Sequence, residues 1–138
     1  MTLVRDVMTA DPQTAEPSAN LEEVARIMRD RDTGAVPIVR DGAPVGIVTD
    51  RDIAVRAVAE GRSPSACQAE DVCTDDPVRV GPDDDARDAV ARIRERKVQR
   101  VLVVEGDELR GIVSIGDLAL ALDGDSALAD VAQADANT

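Results

Sequence analysis

Apolar residues recur along this chain in two alternating periods. Leu21, Val24, Ala25 and Met28 stand at i, i+3, i+4 and i+7, and Ala86, Ala89, Val90 and Ile93 repeat that spacing, so each set marks one helical face. Asn20 and Asp85 precede the stripes as N-caps, with Glu23 and Asp88 three residues on. Short apolar runs follow on either side of turn residues. Ala35 to Val39 and Val45 to Thr49 flank Asp41-Gly42, and Arg100 to Val104 and Leu109 to Ser114 flank Gly106-Asp107, which predicts two hairpins. A further helix is expected after Thr49, carrying Ile53, Ala54, Val55 and Val58, and another after Ser114, carrying Leu118, Ala119, Leu120 and Leu122. Short helical turns at Val4 to Met8 and Glu70 to Cys73 lead past prolines into brief extended segments near Thr14 and Arg79.

The pattern occurs twice because the chain is a repeat. An ungapped shift of 65 residues lays Asp6-Val7-Met8-Thr9 on Asp71-Val72-Cys73-Thr74, Asp11-Pro12 on Asp76-Pro77, and Gly46-Ile47-Val48 on Gly111-Ile112-Val113. Asp52 falls on Asp117 in the same register. Two copies are too few, and the period too long, for a solenoid. They suggest two similar units about a pseudo-twofold axis, with paired clefts between them. The first repeat covers residues 1–61, a linker 62–68, the second repeat 69–123, and an acidic C-terminal tail 124–138.

Composition narrows the function. The 138 residues contain no His, Trp, Tyr or Phe, which removes the usual neutral-pH general base and the aromatic platforms that stack single-stranded bases. The net charge is −12, and both halves are acidic, so broad contact with nucleic acid or an anionic membrane is disfavoured. No apolar run approaches the roughly 20 residues that span a bilayer, and the N-terminus lacks a signal-peptide layout, so a cytoplasmic protein is expected. Cys67 and Cys73 lack His partners for zinc and are too few for a disulfide scaffold; small thiols or a redox-linked pair both fit.

Candidate chemistry gathers at one junction in each copy, Gly46-Ile47-Val48-Thr49-Asp50-Arg51-Asp52 and Gly111-Ile112-Val113-Ser114-Ile115-Gly116-Asp117. Each ends a strand and sets a hydroxyl and a carboxylate three residues apart at a helix N-terminus. Such a pair is a capping box that satisfies orphan amides. The same carboxylate could also accept both hydroxyls of a ribose, with the hydroxyl and free amides facing a phosphate.

The paired G-h-h-[ST]-x-x-D segments, with D-V-M-T and V-P-I-V in register, resemble the tandem cystathionine β-synthase (CBS) domain pair, or Bateman module, over residues 4 to about 122. The segment T-D-R-D-I-A-V-R-A-V-A-E-G-R-S-P is similar to small stand-alone bacterial CBS-pair proteins of the hypoxic-response type. The resemblance implies an α/β (α+β) fold of two β-α-β-β-α repeats whose clefts hold AMP, ADP, ATP or S-adenosylmethionine, with or without magnesium, and a homodimer. Carried over, Thr49 and Asp52 would hold ribose and phosphate in the first site, and Ser114 and Asp117 in the second. Ala35, Val36, Pro37 and the segment around Thr14 would form the purine wall of one site, and Arg100, Val101, Leu102 and the segment around Arg79 that of the other. Arg100 occupies a position where the family often places a phosphate ligand; the first copy has Ala35 there, leaving Arg51 as its candidate. Leu102 replaces the expected proline, and Ile115-Gly116 the usual polar pair.

No catalytic constellation is visible, and no metal site is expected. The run Asp83-Asp84-Asp85 directly precedes a helix, where negative charge favours the dipole. The chain is therefore expected to be a regulatory module, not an enzyme, responding to an adenosine ligand and read by a protein target that the sequence does not name. Two alternatives stand beside it: a ligand-free structural or stress-associated interaction dimer, and a redox or metal sensor using Cys67, Cys73 or the acidic run.

Overall fold

The computed structural model describes residues 1–123; the expected acidic tail lies outside the described residues. The fold is mixed α/β, as expected. The elements are α1 (Val4–Val7), β1 (Thr9–Ala10), α2 (Leu21–Arg31), β2 (Ala35–Arg40), β3 (Ala43–Thr49), α3 (Asp50–Asp52) running into a π-helical stretch (Ile53–Val58), α4 (Ala69–Val72), β4 (Thr74–Asp75), β5 (Arg79–Val80), α5 (Ala86–Arg96), β6 (Arg100–Glu105), β7 (Glu108–Ser114) and α6 (Ile115–Asp123).

Local chemistry sets the helix ends. The Asn20 side chain accepts a hydrogen bond from the Glu23 amide at 3.0 Å, and Asp85 accepts one from the Arg87 amide at 2.9 Å. Both helices stop at equivalent left-handed residues, Asp32 at φ 52° and Lys97 at φ 55°. Acidic residues occupy their first turns and arginines their last, the arrangement the helix dipole favours. The first hairpin turns through Asp41 and Gly42, both at positive φ, as a type I′ turn requires. The second has positive φ at Gly106 alone, matching type II′.

The chain folds into two compact units that are not the two sequence repeats. One contains residues 13–77, the other residues 1–12 together with 78 onward. In the first, β2 and β3 are antiparallel, β4 adds to β3 through Gly46 and Ile47, and Ala15 bridges Ile38 in parallel. In the second, β6 and β7 are antiparallel, β1 adds to β7 through Gly111 and Ile112, and β5 joins β6 in parallel. Each sheet thus takes its edge strand from the leading segment of the other repeat. The sequence boundaries at 61/62 and 68/69 mark the duplication, while the units are cut after Pro12 and Pro77.

Each unit has its own core. Leu21, Val24, Val36, Ile38 and Val48 centre one, and Val80, Ile93, Val101, Val103 and Leu118 the other, with Val4 of the N-terminal segment completing the second. Some residues expected in apolar stripes are not buried. Ala25 is exposed and Ile27 packs instead. In the π-helical stretch Ala54, Val55 and Val58 are exposed and Ala57 is buried, because i→i−5 bonds such as Ala59 N–H to the Ala54 carbonyl widen the turn and rotate the face. In α6 Leu118 is buried but Leu120 and Leu122 are exposed; Leu120, two residues on, cannot share the helical face of Leu118.

Candidate functional site

Strand pairing assembles one corner in each unit. Ala35 lies opposite Thr49 and Val36 opposite Val48, while Arg100 lies opposite Ser114 and Val101 opposite Val113. The helix starts are tied back to the same strands by Asp50 N–H to the Gly34 carbonyl at 3.0 Å and Ile115 N–H to the Gln99 carbonyl at 2.9 Å. The extended segments complete each corner. Ala15 N–H donates to the Pro37 carbonyl at 3.1 Å, and Leu102 N–H donates to the Val78 carbonyl at 2.9 Å. The two sets therefore lie on neighbouring segments of one unit each, residues 14–52 in the first and 79–117 in the second.

The polar groups form reciprocal caps. Thr49 N–H donates to Asp52 Oδ2 at 2.8 Å, and Asp52 N–H donates back to Thr49 Oγ1 at 3.2 Å. Ser114 and Asp117 repeat both bonds at 3.1 Å. Asp52 is buried, and its Oδ1 lies 3.8 Å from Arg56 Nε. Arg56 was not singled out from the sequence, although its i+4 spacing from Asp52 is the signal that could have found it.

The remaining candidates divide by exposure. Ala35, Val36 and Pro37 are buried, as are Val101 and Leu102, so the walls are rigid and apolar. Arg79 and Arg100 are half-buried, with Arg79 in register with Leu102. Thr14 and Arg51 are exposed, and it is Ala15, not Thr14, whose backbone joins the strand.

The glycine that opens each motif answers to packing. A Cβ on Gly46 would meet Cys73 Sγ at 3.0 Å, and one on Gly111 would meet the Thr9 carbonyl at 2.8 Å. These residues belong to the segments that supply the edge strands.

The acidic run is engaged structurally. Asp83 pairs with Arg5, Asp84 accepts from Gly81 N–H at 2.7 Å, and Asp85 caps α5. Cys67 is buried and Cys73 half-buried. Burial, then a hydrogen bond to Asp75 and the negative charges of Asp75 and Asp52, push the Cys73 thiol up to about 11. No helix among the described residues is long and apolar enough to cross a membrane.

The family model for the CBS domain matches residues 4–58 and again residues 69–124. The CBS domain-containing protein YhcV of Bacillus subtilis is 35% identical over 120 residues, covering 87% of this chain and 85% of that one. Hypoxic response protein 1 of Mycobacterium tuberculosis is 32% identical over 120 residues, covering 86% and 84%. Among solved structures, the CBS domain pair of protein MJ0100, in complex with 5′-methylthioadenosine and S-adenosyl-L-methionine, matches with a TM-score of 0.82 at 26% identity, covering 91% of this chain and 99% of that one.

Proposed function

The chain belongs to the CBS-domain family and carries two CBS domains; from that premise we propose that it is a regulatory module binding an adenosine-containing ligand, AMP, ADP, ATP or S-adenosylmethionine, at its strand–helix corners. The observation that carries this reading is the duplicated hydroxyl–carboxylate pair, Thr49 with Asp52 and Ser114 with Asp117, each set at a strand end against a buried apolar wall. An aliphatic wall holds a purine by contact, the carboxylate accepts ribose hydroxyls, and amides at the helix start face a phosphate. The adenosine compounds bound by the CBS pair of protein MJ0100 support the same ligand class here.

The response would be a population shift. Ligand favours one arrangement of the repeats, and a protein target reads it. A ligand at 100 times its dissociation constant contributes about 2.7 kcal/mol, enough to bias such an equilibrium. The chain would work as a homodimer, which sedimentation of the purified protein tests directly.

Calorimetric titration of nucleotide-stripped protein with the four ligands, with and without magnesium, tests the binding itself. Saturable heat lost on replacing one or the other of Asp52 and Asp117 by Ala supports the reading and shows which corner carries it, with a loss of about 1.5–3 kcal/mol in affinity for a ligand hydrogen-bonded to that carboxylate. The intact capping boxes favour the second reading, an interaction protein that needs no ligand. In that case the same substitutions lower stability by about 1 kcal/mol, and no ligand gives heat.

A further inference from the structure

Both corners share the capping geometry, but the groups around the two carboxylates differ. Asp52 is the charged residue buried to 9% exposure among the described residues. Thr49 N–H holds its Oδ2, and the Arg56 guanidinium faces its Oδ1 at 3.8 Å. Arg56 is anchored from its other side, because its terminal nitrogen donates to the Val72 carbonyl at 3.2 Å. The cation therefore bridges the corner carboxylate and the end of α4. In the second repeat, the 65-residue shift puts Ala121 where Arg56 stands, and Asp117 is only half-buried. Arg100 also stands opposite Ser114, where the first repeat has Ala35 opposite Thr49.

A ribose diol presents two donors and needs acceptor positions on both carboxylate oxygens. At Asp52, as at Asp117, one oxygen is capping and keeps a second lone pair; what differs is Oδ1, which faces the Arg56 guanidinium at 3.8 Å, beyond hydrogen-bond distance but near enough for the cation's charge to compete with an incoming hydroxyl. We propose that Arg56 is a specificity-determining residue that closes the first-repeat corner, so that each chain takes a single adenosine ligand, in the second-repeat corner. This rests on the adenosine-binding reading above and decides which repeat performs it.

Titration of AMP into the nucleotide-stripped full chain tests the proposal through stoichiometry. The wild type binds one AMP per chain. Asp117→Asn weakens that binding by at least about tenfold, and Asp52→Asn by less than about threefold. Arg56→Met, which keeps the aliphatic stem and removes the cation, raises the stoichiometry to two, whereas Arg56→Lys, which keeps a cation, leaves it at one. The Arg56 side chain is 54% exposed, so its variants keep the fold even where an Asp117 variant does not. Two AMP per wild-type chain, binding lost with Asp52→Asn, or one AMP per chain in Arg56→Met would overturn the proposal while adenosine binding stands. No AMP binding by the wild type or any variant, with adenosine and S-adenosylmethionine equally silent, overturns both.

Discussion

Each corner carboxylate holds the amide of its own cap residue, and under the proposed function a ribose would meet the same group. The cap was legible in the sequence, since T-x-x-D and S-x-x-D at a strand end leave few other local partners. The bridge from Arg56 to the Val72 carbonyl was not, because that carbonyl lies sixteen positions away and comes close only once α4 has packed. Cys73 shows the same dependence on tertiary packing. Its thiol is raised from 9.0 to about 11 by burial first and then by Asp75 and Asp52. Above 9.0 the unfolded chain loses its thiol proton while the folded chain keeps it, so this contribution to stability is whole below that pH and declines as pH rises through about 11. Urea unfolding of Cys73→Ser should show a shallower alkaline decline than the wild type. Asp75→Asn should speed alkylation of Cys73 near neutral pH, which thiol-labelling kinetics would measure.

Among the elements, the hairpins and the two long helices could be read directly, because period, cap and turn chemistry lie within a dozen residues of one another. β1 and β4 could not. Thr9–Ala10 and Thr74–Asp75 are two residues each, exposed, and paired with strands far along the chain. Their one local trace is the glycine they approach. Gly111→Ala should destabilise the protein by about 1–3 kcal/mol, the cost of overpacking against a backbone carbonyl. Gly46→Ala should cost less, because its neighbours stand farther off, Cys73 Sγ at 3.0 Å and the Thr74 carbonyl at 3.1 Å against Met8 Sδ at 2.6 Å and the Thr9 carbonyl at 2.8 Å around Gly111. Thermal unfolding of the two variants would rank them. The π-helical stretch escaped a 3.6-residue reading for a related reason: its wider turn puts Ala57 inside and leaves Val55 and Val58 in solvent.

At the scale of the whole molecule, the duplication was plain in the sequence and the division into units was not, since a repeat boundary says nothing about where each leading segment packs. Removing residues 1–12 should therefore injure the distant half of the chain. The unit containing residues 78 onward loses Val4 from its core and β1 from its sheet. Amide hydrogen exchange should rise at Gly111 and Ile112 in β7, while β2 and β3 keep their protection. Faster exchange confined to residues 13–77 would contradict the assignment of units.

The borrowed edge strands also bear on ancestry. A chain with a single copy of the repeat would have left its own sheet short by one strand and carried a spare for a neighbour. Two such chains, each lending its leading segment to the other, would close the same pair of sheets that one duplicated chain closes now. Fusing two such copies would require no new fold. It would convert a loan between molecules into one within a molecule, freeing assembly from dependence on concentration. It would also leave the two copies free to differ, as they do where one carries Arg56 and the other Ala121.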